Sequence, residues 1–260
     1  MSSLSKTNNH EKNSQIALAN QKLKKALELS KTLGDKQNIG IQGEHTLHRV
    51  IKFYIKDDLL YHEIPIGRRY ADVKIDNDIY EIQTKNFNLL KDKLKAFLVD
   101  FDVYIVHPYA YKTHFYLTND YGELIKERTS PKHLHIFNVM RELYRIKEYL
   151  KNDKLHFIFM EMEMDEYRNT IPIKTFRGKG YERNNQVPLE ILNIYEINDY
   201  HDWNKVLDEY ELPDGFTLKE FRKIVHVDER SASITLHILC YLGLMERFSK
   251  RGNSYLYHRI

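Results

Sequence analysis

The sequence predicts an α+β protein, a mixed sheet with helices followed by a small helical tail that ends in a hairpin. Three observations carry this. The stretch from Arg68 to Leu98 reads as strand, tight turn, strand and helix, because Ala71, Val73 and Ile75 alternate with Tyr70, Asp72 and Lys74 before a helical spacing of Leu90, Leu94, Phe97 and Leu98 takes over. The segment LHFIFMEMEMDEYR alternates as a strand, with Met160, Met162 and Met164 on one face and Glu161 and Glu163 on the other. The last sixty or so residues read as helix, turn, helix and a hairpin around Arg251-Gly252-Asn253.

Residues 1–13 hold almost nothing to bury and are expected to form a disordered arm. A helix follows over 15–33, with Ile16, Leu23, Leu27 and Leu33 on its apolar side and Gly34 as its stop. It can pack on the core or on a second copy of the chain, which would make a homodimer. Helix 43–56 places Leu47, Val50, Ile51, Tyr54 and Ile55 on one stripe, with Glu44 in its first turn three residues before Leu47. Glu44 is either a metal- or water-positioning acid or an acid favoured by the helix dipole. His45 and His48 lack partners at metal spacing and read as surface or core-edge histidines. A first strand is expected over Leu59–Ile66, and Arg68 and Arg69 after it can meet phosphate or simply face solvent.

The hairpin is the chemical centre. A loop of two or four residues at Asp76-Asn77-Asp78 sets Asp72 across from Glu81 or Gln83, roughly 4.5–5.5 Å apart at Cβ. Two such carboxylates can share a divalent cation, Mg²⁺ or Mn²⁺, which takes oxygen ligands and activates water against a phosphodiester. Ordinary solvated charges on a surface hairpin are the plainer reading. Helix 87–99 carries Lys91, Lys93 and Lys95 on or near the side away from its apolar stripe, either as a solvated face or to hold a nucleic-acid backbone beside the site, and strands at Asp102–His107 and His114–Thr118 complete a five-stranded sheet.

These residues resemble the PD-(D/E)xK nuclease superfamily, in which an Asp on one strand is followed by (D/E)-x-K on the next. The resemblance covers about residues 40 to 120. It implies a restriction-endonuclease-like mixed-sheet core of order αβββαβ, with Asp72 and Glu81 as metal ligands and Glu44 as the helical acid. Gln83 departs from the motif, standing where the family has its lysine. Either Lys85, roughly 6.6 Å further along the strand, supplies the amine, or Gln83-Thr84-Lys85 forms a Q-x-K variant, or the site only binds. The SPKH segment, the RGKGY loop and the C-terminal region resemble uncharacterised bacterial proteins that couple a nuclease-like domain to a winged helix.

Further on, Pro131 is expected to open a helix carrying Ile136, Val139, Leu143 and Ile146. The stretch IKTFRGKGYERN reads as a flexible basic loop in which Lys174, Arg177 and Lys179 contact DNA or face solvent. In the tail, Thr217 and Glu220 form a capping box for a helix over 218–225. The start of the next helix offers Arg230, Ser231, Ser233, Thr235 and His237 to a DNA groove, and Lys250 and Arg251 sit at the wing tip. Winged helices also serve as protein-interaction modules. The expected organisation is therefore an arm over 1–13, a nuclease-like domain over 14–198 and a winged-helix domain over 199–260.

Composition constrains the rest. A net charge of +3 does not by itself announce a nucleic-acid partner, and the lone Cys240 excludes a disulfide within the chain and a cysteine-based zinc site. Without an apolar leader or a span-length apolar run, a cytoplasmic protein is expected. The functional expectation is a metal-dependent DNA endonuclease. The alternative is a nuclease-fold DNA-binding regulator or interaction protein without chemistry, and a hydrolase built on the acids of Glu161–Glu166 ranks below both.

Overall fold

The computed structural model describes residues 3–34, 46–119, 121–175 and 178–260. In chain order the elements are α1 (Ser3–Gly34), α2 (Thr46–Ile55), β1 (His62–Ile66), β2 (Arg69–Ile75), β3 (Asp78–Ile82), α3 (Lys91–Phe97), β4 (Asp102–Thr118) and β5 (Leu124–Thr129). There follow α4 (Met140–Leu143), β6 (Leu155–Thr175), β7 (Gly178–Ile197), α5 (Trp203–Leu207), β8 (Phe216–Thr217), α6 (Leu218–Ile224), α7 (Glu229–Leu242), β9 (Met245–Arg251) and β10 (Ser254–Arg259). The large sheet has the strand order β1-β2-β3-β4-β6-β7, with β5 paired to β4, and a small sheet has the order β8-β10-β9. The fold is thus mixed α+β with a large mixed sheet and C-terminal helices. Among the described residues no helix is long and apolar enough to cross a membrane.

The chain divides into two compact units, each drawn from three segments. The first comprises the described residues of Met1–Ile64, Pro108–His133 and Met160–Ile194. In it α1 packs on α2 through Ala19, Leu23 and Ala26, which recur at helical spacing and are buried. Asn20 reads the backbone of β7, donating to the Ile191 carbonyl and accepting from the Ile191 N–H, both at 2.8 Å. A second copy is therefore not required to cover this helix. Residues 3–13, expected as a disordered arm, belong to α1. Once a helix is nucleated, each added residue gains a hydrogen bond at little further cost, which low apolar content does not prevent.

Other boundaries in this unit also move. Leu59–Tyr61 forms a 3-10 turn capped by Asp58, so the strand begins at His62. The two strands expected over 102–107 and 114–118 are one strand, β4, that runs through Pro108. The expected basic loop lies largely in strands, since β6 reaches Thr175 and β7 starts at Gly178. The methionines of β6 are buried and Glu161 and Glu163 occupy its other face, as the alternation requires.

The second unit comprises Pro65–His107, Leu134–Phe159 and Tyr195–Ile260. The units are therefore interleaved in sequence and do not divide at residue 198. Here Ile79, Val103 and Ile105 of the sheet and Phe87, Leu90, Leu94 and Phe97 of the α3 region are all buried. The helix expected from Pro131 is a chain of short pieces: 3-10 turns at Ile136–Asn138 and Tyr144–Tyr149 flank α4, and Ile146 breaks the run with φ −121°. Its four apolar positions are nonetheless all buried.

In the C-terminal part, the Thr217 hydroxyl accepts from the Glu220 N–H at 3.3 Å while the Glu220 carboxylate accepts from the Thr217 N–H at 2.7 Å, the reciprocal cap of α6. Asp228 caps α7 by accepting from Ser231 N–H, and Gly243 ends it in the left-handed region. Trp203, the chain's one tryptophan, is buried against Phe137 and Phe159. Its fluorescence reports this unit specifically. Thr217→Ala should destabilise the transition seen by Trp203 in urea by about 1 kcal/mol, the usual worth of a lost N-cap; an unchanged midpoint would show that the cap contributes nothing.

Candidate functional site

A two-residue turn joins β2 to β3, with Asp76 held at φ +50°. The strands pair Val73 with Tyr80, Lys74 with Ile79 and Ile75 with Asp78, and this register continues to put Asp72 across from Glu81. Both acids lie on one face, as a two-residue loop demands. That face is not solvent-facing. β3 pairs in parallel with β4, and a parallel pair needs a crossover; here α3 supplies it and covers the acids. Asp72 is 9 % exposed and Glu81 1 %. Asp72 Oδ2 accepts the N–H of Ile82 at 2.8 Å, which fixes its carboxylate.

The amine beside these acids is Lys93 of α3. Its Nζ lies 2.7 Å from Glu81 Oε2 and 3.8 Å from Asp72 Oδ1, and its side chain keeps 28 % exposure. Burial pushes the Glu81 carboxyl up to about 8, the Asp72 charge adds to the rise and Lys93 opposes it. Glu81 Oε1 is buried without a hydrogen-bond partner among the described residues. A buried oxygen of this kind calls for an explanation, because leaving it unmatched is costly. The arrangement offers hard oxygen donors, one fixed cation and an opening toward solvent at Lys93.

The remaining expected residues are placed as follows. The Gln83 side-chain amide donates to the Lys85 carbonyl, and the Gln83 backbone carbonyl meets His107 Nδ1 at 2.6 Å. His107 is enclosed, and burial holds its imidazole below the usual range. Lys85 is exposed, and Lys93 stands where its amine was expected. Glu44 lies outside the described residues. Lys93 had a readable signal: it falls three residues after Leu90 and four before Phe97, both buried, so helical spacing turns it toward the sheet.

On α7, Arg230, Ser233 and His237 are exposed along one stripe. Ser231 and Thr235 are fully buried, which corrects their assignment to a groove. Ser231 Oγ donates to Asp228 and accepts from Asn138 at 3.1 Å, while Thr235 Oγ1 donates to the Ser231 carbonyl at 2.8 Å. Their spacing of four turns them toward the 136–138 turn, a packing partner the sequence did not reveal. Next to that turn Arg141 pairs with Asp228, and Glu142 accepts the Phe87 N–H at 3.0 Å. At the β9–β10 hairpin Lys250 is exposed over the Tyr255 ring and Arg251 pairs with Glu220 at 2.7 Å. Arg177 and the side chains of Lys174 and Lys179 lie outside the described residues. On β6, Glu161 accepts from Tyr109 at 2.9 Å and Glu163 from Lys112 and His114, so these acids are matched by protein groups. Among the described residues no group of three or more His, Cys, Asp or Glu residues comes together as a metal site.

The raised Glu81 carboxyl has a signed consequence. Its folded value exceeds its unfolded one, so folding takes up a proton in between, and stability falls as pH rises through about 5 to 8 and levels above. Thermal midpoints measured in chelator across this window should decline for the wild type, and Glu81→Gln should flatten that part of the profile. A profile unaltered by the substitution would refute the assignment.

Comparison with known proteins places the chain in a family. No solved structure matches it. An uncharacterized protein of Treponema pallidum (strain Nichols) is 24 % identical over 225 residues, covering 83 % of this chain and 85 % of that protein. A family model described as a domain of unknown function, DUF8091, matches residues 45–198, more than half of the chain, and the protein belongs to this family.

Proposed function

We propose that this protein is a metal-dependent DNA endonuclease whose acids are Asp72 and Glu81 and whose amine is Lys93. The observation that carries the reading is the convergence of the two carboxylates on Lys93, with one Glu81 oxygen left unmatched. The element order α2-β1-β2-β3-α3-β4, with β2 and β3 antiparallel and β3 and β4 parallel, agrees with a restriction-endonuclease-like core. Donor chemistry favours a hard divalent cation, Mg²⁺ or Mn²⁺, held by Asp72 and Glu81 through carboxylate oxygens. Bound there, such an ion polarises a phosphoryl oxygen and lowers the pKa of water. Asp72 is oriented for this by the Ile82 N–H. Lys93 keeps a positive charge at the solvent-facing edge, where it stabilises negative charge developing on a scissile phosphate. The amide of Gln83, turned to the Lys85 carbonyl, plays no part as oriented.

The C-terminal part supports a winged helix that binds DNA. Its order β8-α6-α7-β9-β10 and its sheet order β8-β10-β9 suit that module. Arg230, Ser233 and His237 would face the groove, and Lys250 and Arg251 the phosphates.

A second reading rests on the same ion pair. Lys93 already neutralises the acids, as a nuclease fold kept only for DNA binding or protein interaction would require. Plasmid DNA with Mg²⁺ or Mn²⁺ separates the two. Under the first reading the wild type cleaves, Asp72→Ala and Lys93→Ala lose on the order of 100-fold or more, and Lys85→Ala changes little. Cleavage that survives Asp72→Ala sinks the site; duplex binding without cleavage by the wild type selects the second reading.

A further inference from the structure

The second unit concentrates positive charge at a place the hairpin and the wing do not use. Lys147 and Lys151 close the segment after α4 and meet the C-terminal half of α7. Lys147 Nζ lies 4.8 Å from the Tyr241 ring centre, 5.8 Å from that of Tyr144 and 3.3 Å from His237 Nε2. Lys151 Nζ lies 5.3 Å from the same Tyr241 ring and 5.8 Å from Tyr200. One exposed aromatic ring is thus shared by two ammonium groups. Glu148 is the acid that feels Lys147, but its carboxylate is paired with Lys91 at 2.7 Å. Among the described residues no ion pair joins either lysine to a carboxylate.

The ring tolerates this doubling of charge because its face carries the negative end of a quadrupole. It does not neutralise it. Burial, followed by the charges of Lys147 and Arg247, holds the His237 imidazole below its usual range. Two ammonium groups supply six N–H donors, and the tyrosine hydroxyls add more. An anion with several acceptor oxygens would match this donor set. Tyr241 and His237 also continue the stripe of Arg230 and Ser233 along α7, at spacings of three, four and four.

We propose that Lys147, Lys151 and His237, gathered around Tyr241, form an anchor for a backbone phosphate of duplex DNA beside the groove-facing stripe of α7. The inference rests on the DNA-binding reading of α7 and extends it to residues outside the tail. A phosphodiester suits the place better than a side-chain carboxylate, because the deoxyribose attached to it can lie against the exposed rings of Tyr144 and Tyr241 while its oxygens meet the ammonium groups.

The test is fluorescence anisotropy of the full chain with a labelled duplex of about 30 base pairs over a KCl series. Relative to wild type, Lys147→Ala/Lys151→Ala should weaken binding on the order of tenfold and lower the slope of log affinity against log salt by about 1 to 2, while Lys147→Arg/Lys151→Arg restores both. Circular dichroism confirms that the variants fold. An unchanged slope in the alanine variant, with wild-type binding intact, overturns the anchor and leaves the α7 reading standing. No duplex binding by the wild type overturns both. Displacement of the duplex by polyglutamate as readily as by unlabelled DNA of equal charge would assign the surface to acidic polypeptides and overturn the phosphate proposal.

Discussion

A lysine placed between two carboxylates under a helix is the constraint on which the centre of this molecule turns. Asp72 and Glu81 are forced together by the register of β2 and β3, and α3 removes them from solvent. Two adjacent buried negative charges cannot both persist without compensation. Lys93 supplies one positive charge at 2.7 Å from Glu81, while burial first and the Asp72 charge second still push the Glu81 carboxyl up. The hairpin turn, the crossover and the packing of Leu94 and Phe97 all act to hold this imbalance in place.

Much of that arrangement was legible in the residues. The alternation across Ala71, Val73 and Ile75 and the turn at Asp76-Asn77 determine which acids face each other. Capping by Thr217 and Glu220, the stop at Gly243 and the burial of Ile136, Val139, Leu143 and Ile146 follow from local chemistry and spacing. The failures share a cause, which is tertiary partners. A run of lysines usually faces water, so Lys93 reads as part of a solvated or backbone-holding face, although its spacing from Leu90 and Phe97 turns it toward the sheet. Ser231 and Thr235 read as exposed polar residues until the 136–138 turn is set against them. The division at residue 198 fails as a description of the compact units because β4, β6 and β7 are longer than any local pattern announces, and each unit gathers three separated segments.

The tail shows how burial separates polar residues of similar appearance. On α7 the hydroxyls of Ser231 and Thr235 are spent on Asp228, Asn138 and backbone carbonyls, whereas Arg230, Ser233 and His237 remain open. The lysines that meet Tyr241 come from the segment after α4, and this makes the surface of α7 a product of the whole second unit.

Arg141 and Glu142 are consecutive in the chain and grip different elements: Arg141 holds Asp228 at the start of α7, and Glu142 holds the Phe87 N–H just before α3. A single peptide linkage therefore serves as a rigid spacer between the helix that presents the stripe and the helix that carries Lys93. Whatever α7 contacts is therefore held at a separation from Asp72 and Glu81 that this pair of neighbouring residues helps to set.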